Sequence, residues 1–187
     1  PTGALDAGQE VGAPQPGDNG VPMAPSRLVA VPVPYALRPG RGFAPDLVEL
    51  ESLVSPRTRV LIVNSPSNPL GTVFPEPVLR ELLDFARRHD LWVISDEVYE
   101  HWVFDGALHQ SVARFSALAG RAFVVSSFGK TYHVTGWKIA YCLAPIALMR
   151  EFRKAHQFIV FTVHTPSQHA IANYLALETH NELQNFY

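Results

Sequence analysis

From Arg27 onward the apolar positions of the chain fall into two alternating kinds of run, short continuous ones and ones spaced three and four apart. "RLVAVPV" is a short apolar run, whereas "APDLVELESLV" has helical spacing with Pro45 near its start. "RVLIVNS" is a continuous β-branched run of the kind buried on both faces of a parallel sheet. "PEPVLRELLDFARRHD" opens with prolines and closes with basic residues, as a helix does. "LWVISDEV" is the next strand, a mixed segment runs through "HQSVARFSAL", and "AFVVSSF" is another strand. "WKIAYCLA" follows after too short a loop for a helical crossover, which makes an antiparallel return the expectation. "PIALMREFRKAHQFIVF" and "PSQHAIANYLALETH" read as helices. The predicted class is α/β, a mostly parallel sheet flanked by helices.

Residues 1–26, rich in Gly, Pro and Ala, keep neither period and are expected to form an irregular arm. Residues 27–180 are expected to form the core domain. No internal repeat is visible.

Composition narrows the function classes. With 187 residues, 47% hydrophobic and 17% charged, the chain can bury a sizeable core. A net charge of -2 gives no electrostatic case for nucleic acid or an anionic membrane. The single cysteine, Cys142, excludes an internal disulfide and suits a reducing compartment. No apolar run reaches the ~20 residues that span a bilayer, and the N-terminus lacks the order of a secretion signal, so a cytoplasmic location is the expectation. The eight histidines show no metal-ligand spacing, and no metal is expected.

Ligands of open α/β sheets bind beyond the carboxyl ends of the strands, and three predicted strand ends here carry polar clusters. The first is "NSPSNPLGT", where Asn64, Asn68, Pro69 and Gly71 are either ordinary turn chemistry or an amide donor on a stiffened turn. In the second, "ISDEVYE", Asp96 ends a buried strand, where a carboxylate is costly without a partner. Tyr99 follows, and Glu97 and Glu100 are read as routine surface acids. The third, "SSFGKTYHVTGWKIAY", gathers Ser126, Ser127, Lys130, Thr131 and Lys138 into what looks like an anion site. From that stretch alone Lys130 is either a solvated loop charge or a reactive amine. Taken together, an amide, a carboxylate with a phenol, and an amine beside an anion cradle suit a cofactor with a phenolic oxygen, a basic ring nitrogen, an aldehyde and a phosphate. Pyridoxal 5'-phosphate has all four.

The order Asn-Pro-x-Gly, Asp-x-x-Tyr, Ser-x-x-Lys and Gly-Trp-Lys resembles the fold-type I, class I/II pyridoxal-phosphate aminotransferases. "NSPSNPLGTVF", "ISDEVYEH", "SSFGKTYHVTGWKIAYCLAP" and "KAHQFIVFTVHTPSQHA" look most like the methionine and kynurenine/glutamine branch. The resemblance implies that Lys130 forms the Schiff base with the cofactor and later shuttles a proton. It implies that Asp96 pairs with the pyridine N–H, and that Asn68 and Tyr99 donate to the ring oxygen. By the same resemblance Ser127 and Lys138 bind the phosphate, lysine standing where many relatives have arginine. "PTGAL" is similar to the family's phosphate loop, which makes Thr2 and Gly3 its remnants.

The implied activity is transfer of an amino group from a methionine-like or aromatic amino acid to a 2-oxo acid. A β-lyase or decarboxylase on the same fold, or a truncated chain without catalysis, are the alternatives. The chain passes from "MAPS" almost directly to "RLVAVPV", where the family has an aromatic, a strand and a helix. It stops at "NELQNFY", where 181–187 are expected to begin the link to a C-terminal domain bearing the substrate-carboxylate arginine. A homodimer is expected of the family, and exposed apolar surface of this chain.

Overall fold

A computed structural model describes residues 6–17, 30–115 and 120–177. Its strands are β1 (Glu10–Gln15), β2 (Val31–Ala36), β3 (Thr58–Asn64), β4 (Trp92–Asp96), β5 (Ala122–Ser127) and β6 (Ala140–Leu143). The helices are α1 (Leu47–Leu53), α2 (Glu76–Arg88), the short α3 (Phe128–Thr131), α4 (Ile146–Val160) and α5 (Thr165–Leu177). One six-stranded sheet has the order β2-β1-β3-β4-β5-β6. Its first five strands are parallel, and β6 runs antiparallel to β5 as the short loop requires.

Local chemistry accounts for the helices. Asp46 caps α1 by accepting from Val48 N at 3.0 Å. α2 begins at paired prolines, ends on Arg87 and Arg88, and buries Leu79, Leu82, Leu83 and Ala86 at helical spacing. These side chains join Leu50, Leu61, Val63, Val93 and Val124 in the main core, on one face of the sheet.

The opposite face is thinner. Val11, Ala30, Val60 and Ile62 form a small cluster with Trp92 and Ile94 packed on it, and Phe152 of α4 meets Phe123 of β5 at 6.1 Å between centroids. Much of the apolar side of α4 faces solvent: Phe158 is 87% and Ile159 78% exposed, and Phe161 just beyond it 83%. Among the described residues no helix is long and apolar enough to cross a membrane.

The structure corrects the reading of residues 1–26, because β1 lies inside the stretch expected to be irregular. "EVGAPQ" has little strand propensity of its own, and it is held by its neighbours, β2 on one side and β3 on the other. Val11 and Ala13 are buried, and a Cβ at Gly12 would come within 3.3 Å of Leu61 Cδ1. Glu10, only 5% exposed, anchors the strand start. It accepts from Ser55 Oγ at 2.6 Å, Thr58 Oγ1 at 3.0 Å and Arg57 Nη2 at 2.6 Å. Thr2 and Gly3 lie outside the described residues, as do 178–187. β2 also lies later than "RLVAVPV" suggests, since Tyr35 is buried and donates to Ile62 O at 2.8 Å.

Candidate cofactor site

The site is assembled where β3, β4 and β5 end side by side. Asn64 is in register with Asp96, and Asp96 with Val125, which puts the three polar clusters at one edge of the sheet. The buried Asn64 connects the first two. Its Nδ2 donates to Asp96 O at 3.2 Å, and its Oδ1 accepts from Asn68 N at 2.9 Å. The turn carrying Asn68 closes through Gly71 N to Ser67 O at 2.8 Å, with Gly71 at φ 67, a conformation that favours glycine. Asp96 is half-buried, and its Oδ1 accepts from Val98 N at 3.2 Å.

After β5 the chain enters α3 at once. Ser127 is its N-cap and accepts from Gly129 N at 3.0 Å, and its hydroxyl lies 3.4 Å from Ile139 O. Thr135 Oγ1 donates to Gly129 O at 3.0 Å, folding the 132–138 loop back on the turn that holds Lys130. A side chain at 129 would be crowded, since a Cβ there would sit 3.0 Å from Thr135 Cα and 3.1 Å from Ser127 Oγ. Lys130 Nζ stands 5.9 Å from the centroid of the Tyr99 ring, which brings the lysine and the phenol of two separate clusters together. Lys138 is exposed at φ 56, beside Ile139, whose carbonyl accepts from Phe128 N at 3.2 Å. A lysine held in the left-handed region costs about 1 kcal/mol or more, as residues at ligand clamps often do.

Two parts of the sequence reading are corrected. Ser126 does not belong to the anion set: it alternates with Ser127 across the sheet, is 1% exposed, and turns to Glu100 Oε1 at 2.6 Å. Glu97 and Glu100 are not surface acids. Glu97 is 1% exposed; its Oε1 accepts from Ser95 Oγ at 2.8 Å and Val112 N at 2.9 Å, and its Oε2 lies 2.9 Å from His109 Nε2. Burial works to raise its pKa, but the His109, Val112, Ser111 and Ser95 hydrogen bonds more than reverse this and hold it below the usual carboxylate range. Glu100 Oε1 also accepts from the Tyr141 hydroxyl. Burial and that bond push the Tyr141 phenol up to about 12. The alternation Leu91, Val93, Ser95 already assigns 97 to the buried face, so Glu97 was readable by extending the strand one residue past Asp96. No spacing pattern announces His109 or Tyr141. Among the described residues no group of His, Cys, Asp or Glu side chains could hold a metal ion.

Residues 3–185 match the family model for aminotransferase class I and II. The chain belongs to that family. It is 46% identical over 148 residues to a methionine aminotransferase of Escherichia coli, covering 79% of this chain and 38% of the relative. It is 43% identical over 159 residues to a probable N-succinyldiaminopimelate aminotransferase of Mycobacterium tuberculosis, with 85% and 39% covered. A solved Escherichia coli methionine aminotransferase superposes with TM-score 0.89 at 41% identity, over 95% of this chain and 47% of that one. The fold is therefore that of the class I/II aminotransferases, and the chain spans well under half the length of these curated relatives.

Proposed function

We propose that this chain carries the pyridoxal 5'-phosphate site of an aminotransferase that moves an amino group between a methionine-like or aromatic amino acid and a 2-oxo acid. The observation that supports it most is the approach of Lys130 to the Tyr99 ring, beside the edge where Asn64 links Asp96 to Asn68. The donor set fits the cofactor: an amine for its aldehyde, a carboxylate for its ring nitrogen, an amide and a phenol for its ring oxygen, and Ser127 with Lys138 for its phosphate. When bound, the cofactor supplies an electron sink that stabilises negative charge at the substrate α-carbon.

The chain's own residues do the rest. Lys130 would hold the cofactor through its amine, and the same amine, when free, would be the base that takes the substrate α-proton and carries it as an ammonium. Asp96 keeps the ring nitrogen protonated by placing a negative charge against it. Asn68 and Tyr99 donate to the ring oxygen. Ser127 accepts from Gly129 N as a cap, and its hydroxyl proton, directed at Ile139 O over a long 3.4 Å, would turn from that carbonyl to a phosphate oxygen. The methionine-like or aromatic preference draws on the relatives, among them the methionine aminotransferase and a rat kynurenine–oxoglutarate transaminase 39% identical over 127 residues.

Adding pyridoxal phosphate to the purified chain is expected to shift the cofactor's visible absorption, and borohydride reduction to fix its mass on the Lys130 peptide. Lys130→Ala abolishes both signals. Reduction that labels only other lysines would sink the assignment.

A further inference from the structure

The turn between β4 and the loop that follows it is held by two carboxylates whose partners lie on different elements. Glu97 reaches back to Ser95 and forward to His109 and Val112. Its backbone joins β5 as well, with Glu97 N donating to Val125 O at 2.8 Å. Glu100, three residues on, reaches the opposite way, to Ser126 on β5 and Tyr141 on β6. Ser126 and Tyr141 are cross-strand partners, so Glu100 grips both strands of the antiparallel pair at one point. Between the two acids lies Tyr99, the ring that approaches Lys130, and immediately before them lies Asp96.

Carboxylates withdrawn from water are a poor way to gain stability, since apolar replacements of a buried ionic group are often neutral or better. What a buried or half-buried acid with several hydrogen bonds does supply is a fixed geometry with few alternatives. Here the fixed object is a five-residue turn, residues 96–100, tied at 97 to the loop and at 100 to β5 and β6. β5 is the strand that delivers Lys130. Glu100 therefore holds the turn against the strand that carries the lysine, and Glu97 ties the same turn to the loop.

We propose that Glu97 and Glu100 are positioning residues that fix the Asp96–Tyr99 turn, Glu97 to the loop at His109 and Val112 and Glu100 to β5 and β6, and so set the aim of Asp96 and Tyr99 relative to Lys130, a role that rests on the pyridoxal-phosphate reading of the site. The acids touch neither the substrate nor the reacting atoms. They act through the turn.

The test uses Glu97→Gln and Glu100→Gln, which keep side-chain volume, with Glu51→Gln, a surface acid paired to Arg88, as control. On the chain without cofactor, amide hydrogen exchange is expected to quicken about ten-fold at Glu97 and Val112 in the first variant and at Glu100 and Trp102 in the second. In pyridoxal-phosphate titrations both variants are expected to bind about ten-fold more weakly and to move the pH midpoint of the bound cofactor's absorption, while Glu51→Gln matches the parent. A purely stabilising role would lower the thermal midpoint and leave the absorption midpoint in place, which overturns the proposal. Parent-like affinity and exchange in both variants overturn it equally. If either variant fails to fold, His109→Gln and Tyr141→Phe, which each remove one partner, decide by the same readouts. Should the parent take up no cofactor, the site reading fails, and exchange alone judges the clamp: faster exchange at the turn keeps it and unchanged rates overturn it.

Discussion

At the scale of single residues, Asn64 is the connection that makes one site of two clusters. Its carboxamide is 4% exposed and uses both ends, donating to Asp96 O and accepting from Asn68 N. Asn64→Ala removes one donor from the half-buried Asp96 carbonyl and the Oδ1 acceptor from the half-buried Asn68 amide, a loss of about 1–3 kcal/mol. Urea denaturation should show a lower midpoint with an unchanged slope, and cofactor uptake should weaken in the folded variant because Asn68 loses its anchor. A variant with parent-like affinity for pyridoxal phosphate would show that Asn64 serves the fold alone.

At the scale of elements, the α3 turn leaves little space around Gly129. Gly129→Ala forces a methyl group to 3.0 Å from backbone at Thr135, which cannot yield as a side-chain tip would. The cost is about 1–3 kcal/mol of overpacking, and Lys130, the next residue, moves with it. Calorimetry should register the loss and borohydride labelling at Lys130 should fall; full labelling would mean that the loop adjusts without disturbing the lysine. β1 depends on a different device. The Ser55 hydroxyl, with Arg57 and Thr58 and against the opposing effect of burial, holds the Glu10 carboxyl below its usual range. A carboxylate whose folded pKa is depressed contributes stability above its unfolded pKa and loses it as pH falls toward the folded value. Glu97 is shifted the same way, so the thermal midpoint should drop below about pH 5, and Glu10→Gln should flatten part of that drop. A Glu10→Gln profile parallel to the parent's would exclude Glu10 as a source.

At the scale of the whole molecule, one face of the sheet is more fully covered than the other. Phe158, Ile159 and Phe161 stand at the end of α4, each more than three-quarters exposed, with Leu177 at 80% on α5. Exposed apolar side chains of this size favour association. Light scattering should give a mass above the 20.7 kDa of one chain, rising with concentration, and Phe158→Glu with Ile159→Lys should return it toward that value. A monomer at every concentration would show that this face tolerates water.

By itself the sequence determined the parallel sheet, the antiparallel return of β6, and the identities of Asn68, Asp96, Tyr99, Ser127, Lys130 and Lys138 as candidates. Those features are local: a continuous β-branched run such as "VLIV" and a turn as short as the one after Lys130 admit few conformations. β1 was invisible because "EVGAPQ" becomes a strand only between two others. Glu97 and Glu100 read as surface acids because a carboxylate's burial depends on the partners that desolvate and bond it. Those partners, His109, Val112, Ser126 and Tyr141, come from 12 to 41 residues away in the chain. Tertiary structure alone decided which strand ends meet, and with that which of the candidate residues share one site.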